Sequence, residues 1–169
     1  MNREEYEEAV RRHKDRVHSH AAWVLRGPDD ARDVAQEALL RLWVHRDTVR
    51  TATAGPWLMR TAHNLCLDRM RRRRVRPQVD PEQLDTMVDP HNPDPSRSAE
   101  ATELGRMIAT ALGSLSPRDR SAVLMREVHG MTYEEIATAV EAPLGTIKSV
   151  IHRSRERLRR ALTAAGVTP

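Results

Sequence analysis

The chain is predicted to fold as an all-α protein of two small helical domains joined by a flexible acidic linker. Apolar residues recur at three- and four-residue spacing through most of the sequence, and no segment alternates convincingly over strand length. Aromatic residues make up only 3% of the 169 and Phe is absent, so a core must be built from Leu, Ile, Val, Met and Ala, which suits helices packed on helices. The composition breaks after Arg76: residues 77–98 read PQVDPEQLDTMVDPHNPDPSRS, with five prolines, several aspartates and little periodicity. That stretch is long for a loop inside a compact domain. Residues 1–76 and 99–169 are therefore expected to be separate domains and 77–98 a tether, whose acidity also suits a channel built for nucleic acid.

The elements follow in order. A first helix runs from Glu4 to Leu25 through Tyr6, Val10, Val17, Ala21, Val24 and Leu25, and Gly27-Pro28 ends it. Asp29 or Asp30 can cap a second helix to about His45, with Val34, Ala35, Ala38, Leu39 and Leu42 inward. Thr48 to Gly55 reads as a loop. Pro56 suits a first helical position, and the helix that follows continues to about Arg74 with Leu58, Ala62, Leu65, Cys66 and Met70 inward. Beyond the linker, Leu104, Met107, Ile108, Ala111 and Leu112 define a helix ended by Gly113. Ser116-Pro117 opens the next, faced by Ala122, Val123, Met125 and Val128 and stopped by Gly130.

The last stretch, Thr132 to Leu162, reads as helix, sharp turn and second helix. Thr132 and Glu135 have capping-box spacing, and Ile136, Ala137 and Val140 form a stripe. Pro143 and Gly145 punctuate the chain, and Thr146 can begin a helix with Ile147, Val150 and Ile151 inward. Lys148, Ser149, His152, Arg153 and Arg155 then fall on the outer side. That pattern is a helix-turn-helix whose second helix is shaped and charged for a DNA groove. The plainer alternative is an amphipathic helix pair with a solvated basic face.

The net charge of +4 and the isoelectric point near 9.9 understate the basicity, because arginines crowd Arg69–Arg76 and Arg153–Arg160. Two separate basic patches point to a polyanionic partner, most simply nucleic acid. The single cysteine, Cys66, excludes an internal disulfide and reads as a small core residue. The scattered histidines, His13, His18 and His20 included, complete no zinc set, so no metal and no cofactor is expected. No apolar run has bilayer-spanning length and the acidic start MNREEYEEAV is not a secretion signal, so the expected address is the cytoplasm. Without a nucleophile–base pair, a phosphate-binding Gly loop or a metal set, an enzyme is not expected.

Arg69, Arg71, Arg72, Arg73, Arg74 and Arg76 end one helix, with only Asp68 as a nearby acid; such a run supplies salt-sensitive, sequence-blind affinity for phosphates. Arg60, His63, Asn64 and Asp68 stand upstream at helical spacing, where they can read base edges. Trp43 and Trp57 either border a base pocket or fill the core. Asp33, Gln36 and Glu37 with Leu40 make an acidic face with an apolar anchor, which suits a basic protein partner and not DNA.

These residues carry a family resemblance. The chain resembles the extracytoplasmic-function class of bacterial sigma factors, the short alternative initiation subunits of RNA polymerase in the sigma-70 family. DDARDVAQEALLRLW is similar to the core-binding helix of the family's region two, and PWLMRTAHNLCLDRMRRRR to its minus-ten segment. LSPRDRSAVLMREVHGMTYEEIATAV and PLGTIKSVIHRSRERL are similar to region four. The resemblance implies that residues 1–76 are region two and 99–169 region four. It implies that Asp33, Gln36, Glu37 and Leu40 meet the clamp helices of the polymerase's largest subunit. The loop from Arg46 to Gly55, with Arg60, Asn64, Asp68, Arg69, Arg72 and Arg73, would meet the melted minus-ten strand. Gly145, Lys148, Ser149, His152, Arg153 and Arg155 would meet the minus-thirty-five element. The linker would thread toward the active-site and RNA-exit channels, and an anti-sigma protein is implied as a further partner. Where the family often carries Gly in the turn of its helix-turn-helix, this chain has Glu141, so a strained, reshaped turn is expected. The alternatives are a stand-alone, dimeric helix-turn-helix repressor or activator, and a nuclease. The first domain, which looks like neither ligand pocket nor dimer helix, speaks against the former. The lack of clustered carboxylates on the basic faces speaks against the latter.

Overall fold

The computed structural model describes residues 1–75 and 102–167, with backbone alone for 74 and 75. The expected tether over 77–98 lies outside the described residues. Among the described residues there are seven α-helices, one short 3-10 helix and no strand. They are α1 (Arg3–Leu25), α2 (Pro28–Val44), the 3-10 turn Thr51–Thr53, α3 (Ala54–Val75), α4 (Glu103–Gly113), α5 (Pro117–Glu127), α6 (Tyr133–Val140) and α7 (Leu144–Ala164).

Helix ends follow local chemistry. Asn2 and Glu5 form a capping box on α1, the Glu5 N–H donating to Asn2 Oδ1 at 2.8 Å and the Asn2 N–H to Glu5 Oε2 at 2.7 Å. Ser116 caps α5 through the Asp119 N–H at 3.1 Å, as its position before Pro117 predicts. Thr132 and Glu135 form the expected box on α6. Three starts differ from expectation. Gly27 caps α2, with Asp29 and Asp30 inside the first turn, where Pro28 has no N–H to satisfy and acids meet the positive helix end. α3 begins at Ala54, two residues before Pro56, because proline is tolerated anywhere an amide lacks an intrahelical acceptor. α7 begins at Leu144 after Pro143, before Thr146.

α1, α2 and α3 pack on one another, and α7 is packed by α4, α5 and α6. The inward stripes read from sequence are buried or half-buried, except at two helix ends. Leu104 and Val128 are 51% and 56% exposed, because each stands at an end of its helix beyond the covering partner. Cys66 is fully buried on α3, and burial pushes its thiol up to about 12.

The two helical halves do not stand apart. α1 and α3 pack against α5, α3 also packs against α6, and one continuous apolar core runs through both halves. Polar side chains cross the seam. Arg120, only 6% exposed, donates to Val24 O in the last turn of α1 at 2.9 Å and to Leu112 O in the last turn of α4 at 2.9 Å. Its guanidinium thus sits on two helix C-termini, where a cation is favoured by the peptide dipoles and the orphan carbonyls need donors. Arg16 donates to His129 O at 2.9 Å.

Candidate nucleic-acid and partner interfaces

α6, its turn and α7 form the helix-turn-helix. Glu141 stands at the turn with φ 53° and ψ 53°, the left-handed region expected of a glycine. The Ala142 N–H returns to Ala137 O at 3.0 Å and closes the helix end. Ile147, Ile151 and Ser154 are buried, and Gly145, Lys148, Ser149, His152 and Arg153 are exposed on the other side of α7. A Cβ at Gly145 would meet nothing within 4 Å, so this glycine leaves open surface at the start of the helix. Arg155 differs from its neighbours. Its guanidinium is held by Glu127 of α5, with Nε at 2.8 Å and Nη2 at 2.5 Å from the same carboxylate oxygen, and that bond raises its pKa.

On α2, Asp33, Gln36 and Leu40 are exposed, and Glu37 is half-exposed with its carboxylate accepting from Arg41 at 2.8 Å. Leu40 is 57% exposed and Val44, one turn on, is 63% exposed. The apolar anchor is therefore two residues long. The i, i+4 spacing of Leu40 and Val44 was the available sequence signal for the second.

The arginine run at the end of α3 is not isolated from acids. Arg69 Nη1 lies 2.9 Å from Asp30 Oδ1, and Nη2 lies 3.3 Å from Asp33 Oδ2. Arg73 pairs with Asp30 as well, and Arg71 with Asp68 at 2.7 Å. Asp68 is thus not the run's only acidic neighbour: the fold brings Asp30 and Asp33 across from α2, a proximity invisible in linear order. Arg72 remains exposed. Asp33, Gln36, Glu37, Leu40, Asp68, Arg69 and Arg72 line one groove of about 650 Å³ between α2 and α3, so the residues expected to meet polymerase and those expected to meet DNA adjoin.

Farther up α3, Asn64 is exposed and Arg60 is ion-paired with Glu141 of the helix-turn-helix turn. His63, expected among the base readers, is 1% exposed and bonded to Ser121 of α5; burial, then Arg118, lowers its pKa to about 4. It belongs to the seam between the halves. The segment after α2 is anchored from both sides: Arg46 lies over the Trp43 ring at 4.3 Å, Trp43 packs edge-on against Tyr6 at 4.9 Å, and Trp57 contacts His45 at 5.7 Å. Both tryptophans are half-buried, and Thr51, Ala52 and Thr53 between them are exposed. Among the described residues no three His, Cys, Asp or Glu side chains are placed to hold a metal ion, and no helix is long and apolar enough to cross a membrane.

The comparisons with known proteins fall on both halves. The family model for sigma-70 region 2 matches residues 9–76, and that for sigma-70 region 4 matches residues 105–158. The chain is 37% identical over 155 residues to the ECF RNA polymerase sigma factor SigE of Mycolicibacterium smegmatis, covering 91% of this chain and 60% of that protein. It is 32% identical to the RNA polymerase sigma-E factor of Streptomyces coelicolor, over 95% of this chain and 87% of that one. It is 36% identical to the ECF sigma factor SigL of Mycobacterium tuberculosis, over 82% and 77%. The fold matches RpoE from Bartonella quintana, solved with the anti-sigma factor NepR, at TM-score 0.71 and 22% identity over 94% of this chain and 96% of that one. It also matches CnrH, solved with the cytosolic domain of CnrY, at TM-score 0.71 and 21% identity over 96% and 90%. Two region models in the family's order, on two helical units of which the second carries a helix-turn-helix, and relatives above 30% identity lead to one assignment: the chain belongs to the extracytoplasmic-function sigma factors of the sigma-70 family.

Proposed function

We propose that this chain is an alternative initiation subunit that binds core RNA polymerase and directs it to a particular set of promoters. The observation that carries this reading is the division of α7: Ile147, Ile151 and Ser154 are buried, while Lys148, Ser149, His152 and Arg153 are exposed on the opposite side. Major-groove recognition needs one helix face anchored to its own domain and the other lined with donors. In this reading α7 takes the minus-thirty-five element with Gly145, Lys148, Ser149, His152 and Arg153, and Arg155 joins them after exchanging Glu127 for phosphate. The α2 face of Asp33, Gln36, Glu37 and Leu40, extended by Val44, docks on the clamp helices of the polymerase's largest subunit. Arg60, Asn64, Asp68, Arg69, Arg72 and Arg73, with the exposed segment before α3, receive the melted minus-ten strand. Unstacking those bases costs a few kcal/mol, which stacking and phosphate contacts offset.

The work is recognition and not catalysis, and it takes place where polymerase and the chromosome are, in the cytoplasm. RpoE of Bartonella quintana was solved with the anti-sigma factor NepR, which supports a partner of that kind here. A stand-alone repressor leaves the α2 face and the whole first half unused. Transcription reconstituted with core polymerase on a pool of random promoters tests the proposal. Promoter-specific transcripts that require both core and this chain are expected. Specific duplex binding by the chain alone, with no core-dependent transcripts, would overturn it.

A further inference from the structure

The exposed segment before α3 is framed by α1. It runs from the end of α2 to Gly55, in the first turn of α3. Its side chains divide sharply. Val49 and Ala54 are buried, whereas Arg50, Thr51, Ala52 and Thr53 are exposed. Thr53 closes these four into a turn: its N–H donates to Arg50 O at 3.0 Å, and its hydroxyl donates to the same oxygen at 3.1 Å. The part of the segment open to a strand is thus a short turn, with a buried residue on either side of it.

Each end of the segment is held by one side chain of α1. At the first end, Tyr6 meets the Trp43 ring edge-on at 4.9 Å between centroids and donates its hydroxyl to Leu39 O at 3.2 Å. The other partner of Trp43 is Arg46, whose guanidinium lies 4.3 Å from the ring centroid and donates to Trp43 O at 2.9 Å. Trp43 therefore passes the position of Tyr6 to the residue that opens the segment. At the second end, His13 lies against Gly55. A Cβ on Gly55 would stand 2.9 Å from His13 Cε1 and 3.3 Å from Nε2, closer than such atoms pack. Gly55 is not among the residues with positive φ, so it is the ring and not the backbone that requires glycine here. Burial, then Arg16 and Arg12, lowers the His13 pKa, and the ring is neutral at neutral pH. Tyr6 and His13 stand two helical turns apart on one side of α1, at a separation of about 10 Å.

We propose that Tyr6 and His13 are positioning residues that set minus-ten specificity: neither touches DNA, and together they hold Arg50, Thr51, Ala52 and Thr53 where one extruded base is read in one geometry. The inference rests on the promoter-binding function proposed above. An extruded base is read by hydrogen bonds to its edge, and displacement of the reading groups by about 1 Å is enough to lose them. An exposed turn keeps that precision only when the side chains behind it are locked by packing. α1 supplies the lock, although it contributes no residue to the DNA and polymerase faces described above. Its helical rise fixes the distance between the two contacts, so the spacing of the segment's ends does not depend on the segment's own sequence.

Core-dependent transcription by the full chain tests this. The templates are promoters selected from the random pool and their single-base minus-ten variants, each as closed duplex and with the minus-ten bases already unpaired. Tyr6→Ala and His13→Ala should each lower the minus-ten preference about tenfold on both forms. Tyr6→Phe keeps the ring on Trp43 and should keep the preference. Discrimination of minus-thirty-five variants and pull-down of core polymerase should stay at the wild-type level. Equal losses on every promoter, with the minus-ten preference intact, would reduce both residues to a structural role and overturn the proposal. Gly55 supplies the second test. Gly55→Ala should lower both the preference and the thermal midpoint while His13 is present. In the His13→Ala background the added methyl has room and alanine suits a helix better than glycine, so the midpoint should rise and the preference should fall no further. The same loss of midpoint in both backgrounds would show that His13 does not bear on Gly55, and would also overturn the proposal. Failure of the proposal alone leaves promoter-specific transcription by the wild type intact. Absence of any core-dependent transcription by the wild type removes the promoter-binding reading and this proposal with it, while the midpoints still report the contact between His13 and Gly55.

Discussion

Arg69 of α3 and Asp33 of α2 meet at 3.3 Å, with Asp30 on the other side of the same guanidinium at 2.9 Å. The pairing joins a residue assigned to DNA with one assigned to polymerase. It makes the angle between α2 and α3 depend on charges that the proposed function also uses for binding. Asp30 is the more enclosed acid, its side chain 19% exposed against 57% for Asp33, and it serves Arg73 too. Asp30→Ala should therefore cost about 1–3 kcal/mol, and Asp33→Ala about 0–1 kcal/mol. Urea unfolding of the two variants checks the order; equal losses would mean that Asp30 is not the structural partner.

Leu40→Arg should weaken capture of core polymerase strongly and leave the melting temperature unchanged, because Leu40 is 57% exposed and packs on little of its own chain. Val44→Arg should do the same to a smaller degree. Pull-down of core by both variants at the wild-type level would remove α2 as the docking helix.

Arg153→Ala should relax discrimination at one or two base pairs of the minus-thirty-five element, at a cost of about 1–3 kcal/mol. Arg157→Ala should weaken all sequences alike and flatten the salt slope. Arg155→Ala should show a mixed response, because Arg155 exchanges its bond to Glu127 for any DNA contact. Transcription by the three variants on promoters with wild-type and scrambled upstream elements separates the patterns. Retention of wild-type discrimination by Arg153→Ala would displace the reading face.

Glu141→Gly should relieve the cost of a left-handed non-glycine residue, of about 1–2 kcal/mol, less the chain entropy that glycine adds. A thermal midpoint a few degrees higher is expected, together with a looser seam, since the pair with Arg60 is lost. A lower midpoint would show that the ion pair outweighs the strain.

Acid should open the halves. Burial holds His63 and His129 down to about 4 and His20 well below its usual value. In the separated state they return toward about 6.5. The open form therefore binds more protons as pH falls, and the packed form loses stability from about pH 6.5 down to about 4. Above pH 6.5 both forms carry neutral imidazoles and the balance is flat. Scattering between pH 7.5 and 4.5 should show the particle expanding across that window. His63→Gln, whose side-chain amide oxygen can still accept from Ser121, should reduce the effect.

Most of the helical order was legible because each boundary carries its own chemistry: Thr132 with Glu135, Ser116 before Pro117, and glycine at 130 with φ +62°. The exposed faces of α2 and α7 were legible for the same reason, since helical periodicity assigns sides without knowledge of the partner. What the sequence hid was contact between elements far apart in order. His63 stands between Ala62 and Asn64 on a helix that reads as DNA-facing, and only the packing of α5 across α3 identifies it as buried. Asp30 and Asp33 read as a cap and a docking residue until α3 is laid beside α2. Arg120, spaced like any surface arginine, becomes an interior group only when two helix C-termini converge on it.

Cys66 has a consequence for what this protein can sense. It is the sole thiol in the sequence, it is sealed inside α3, and burial pushes it up to about 12. At neutral pH only about one molecule in 10⁵ would carry the thiolate that peroxides and disulfides attack. Thiol oxidation is therefore closed to this chain while it stays folded. A thiol-based sensor of oxidants for this chain must be carried by another molecule.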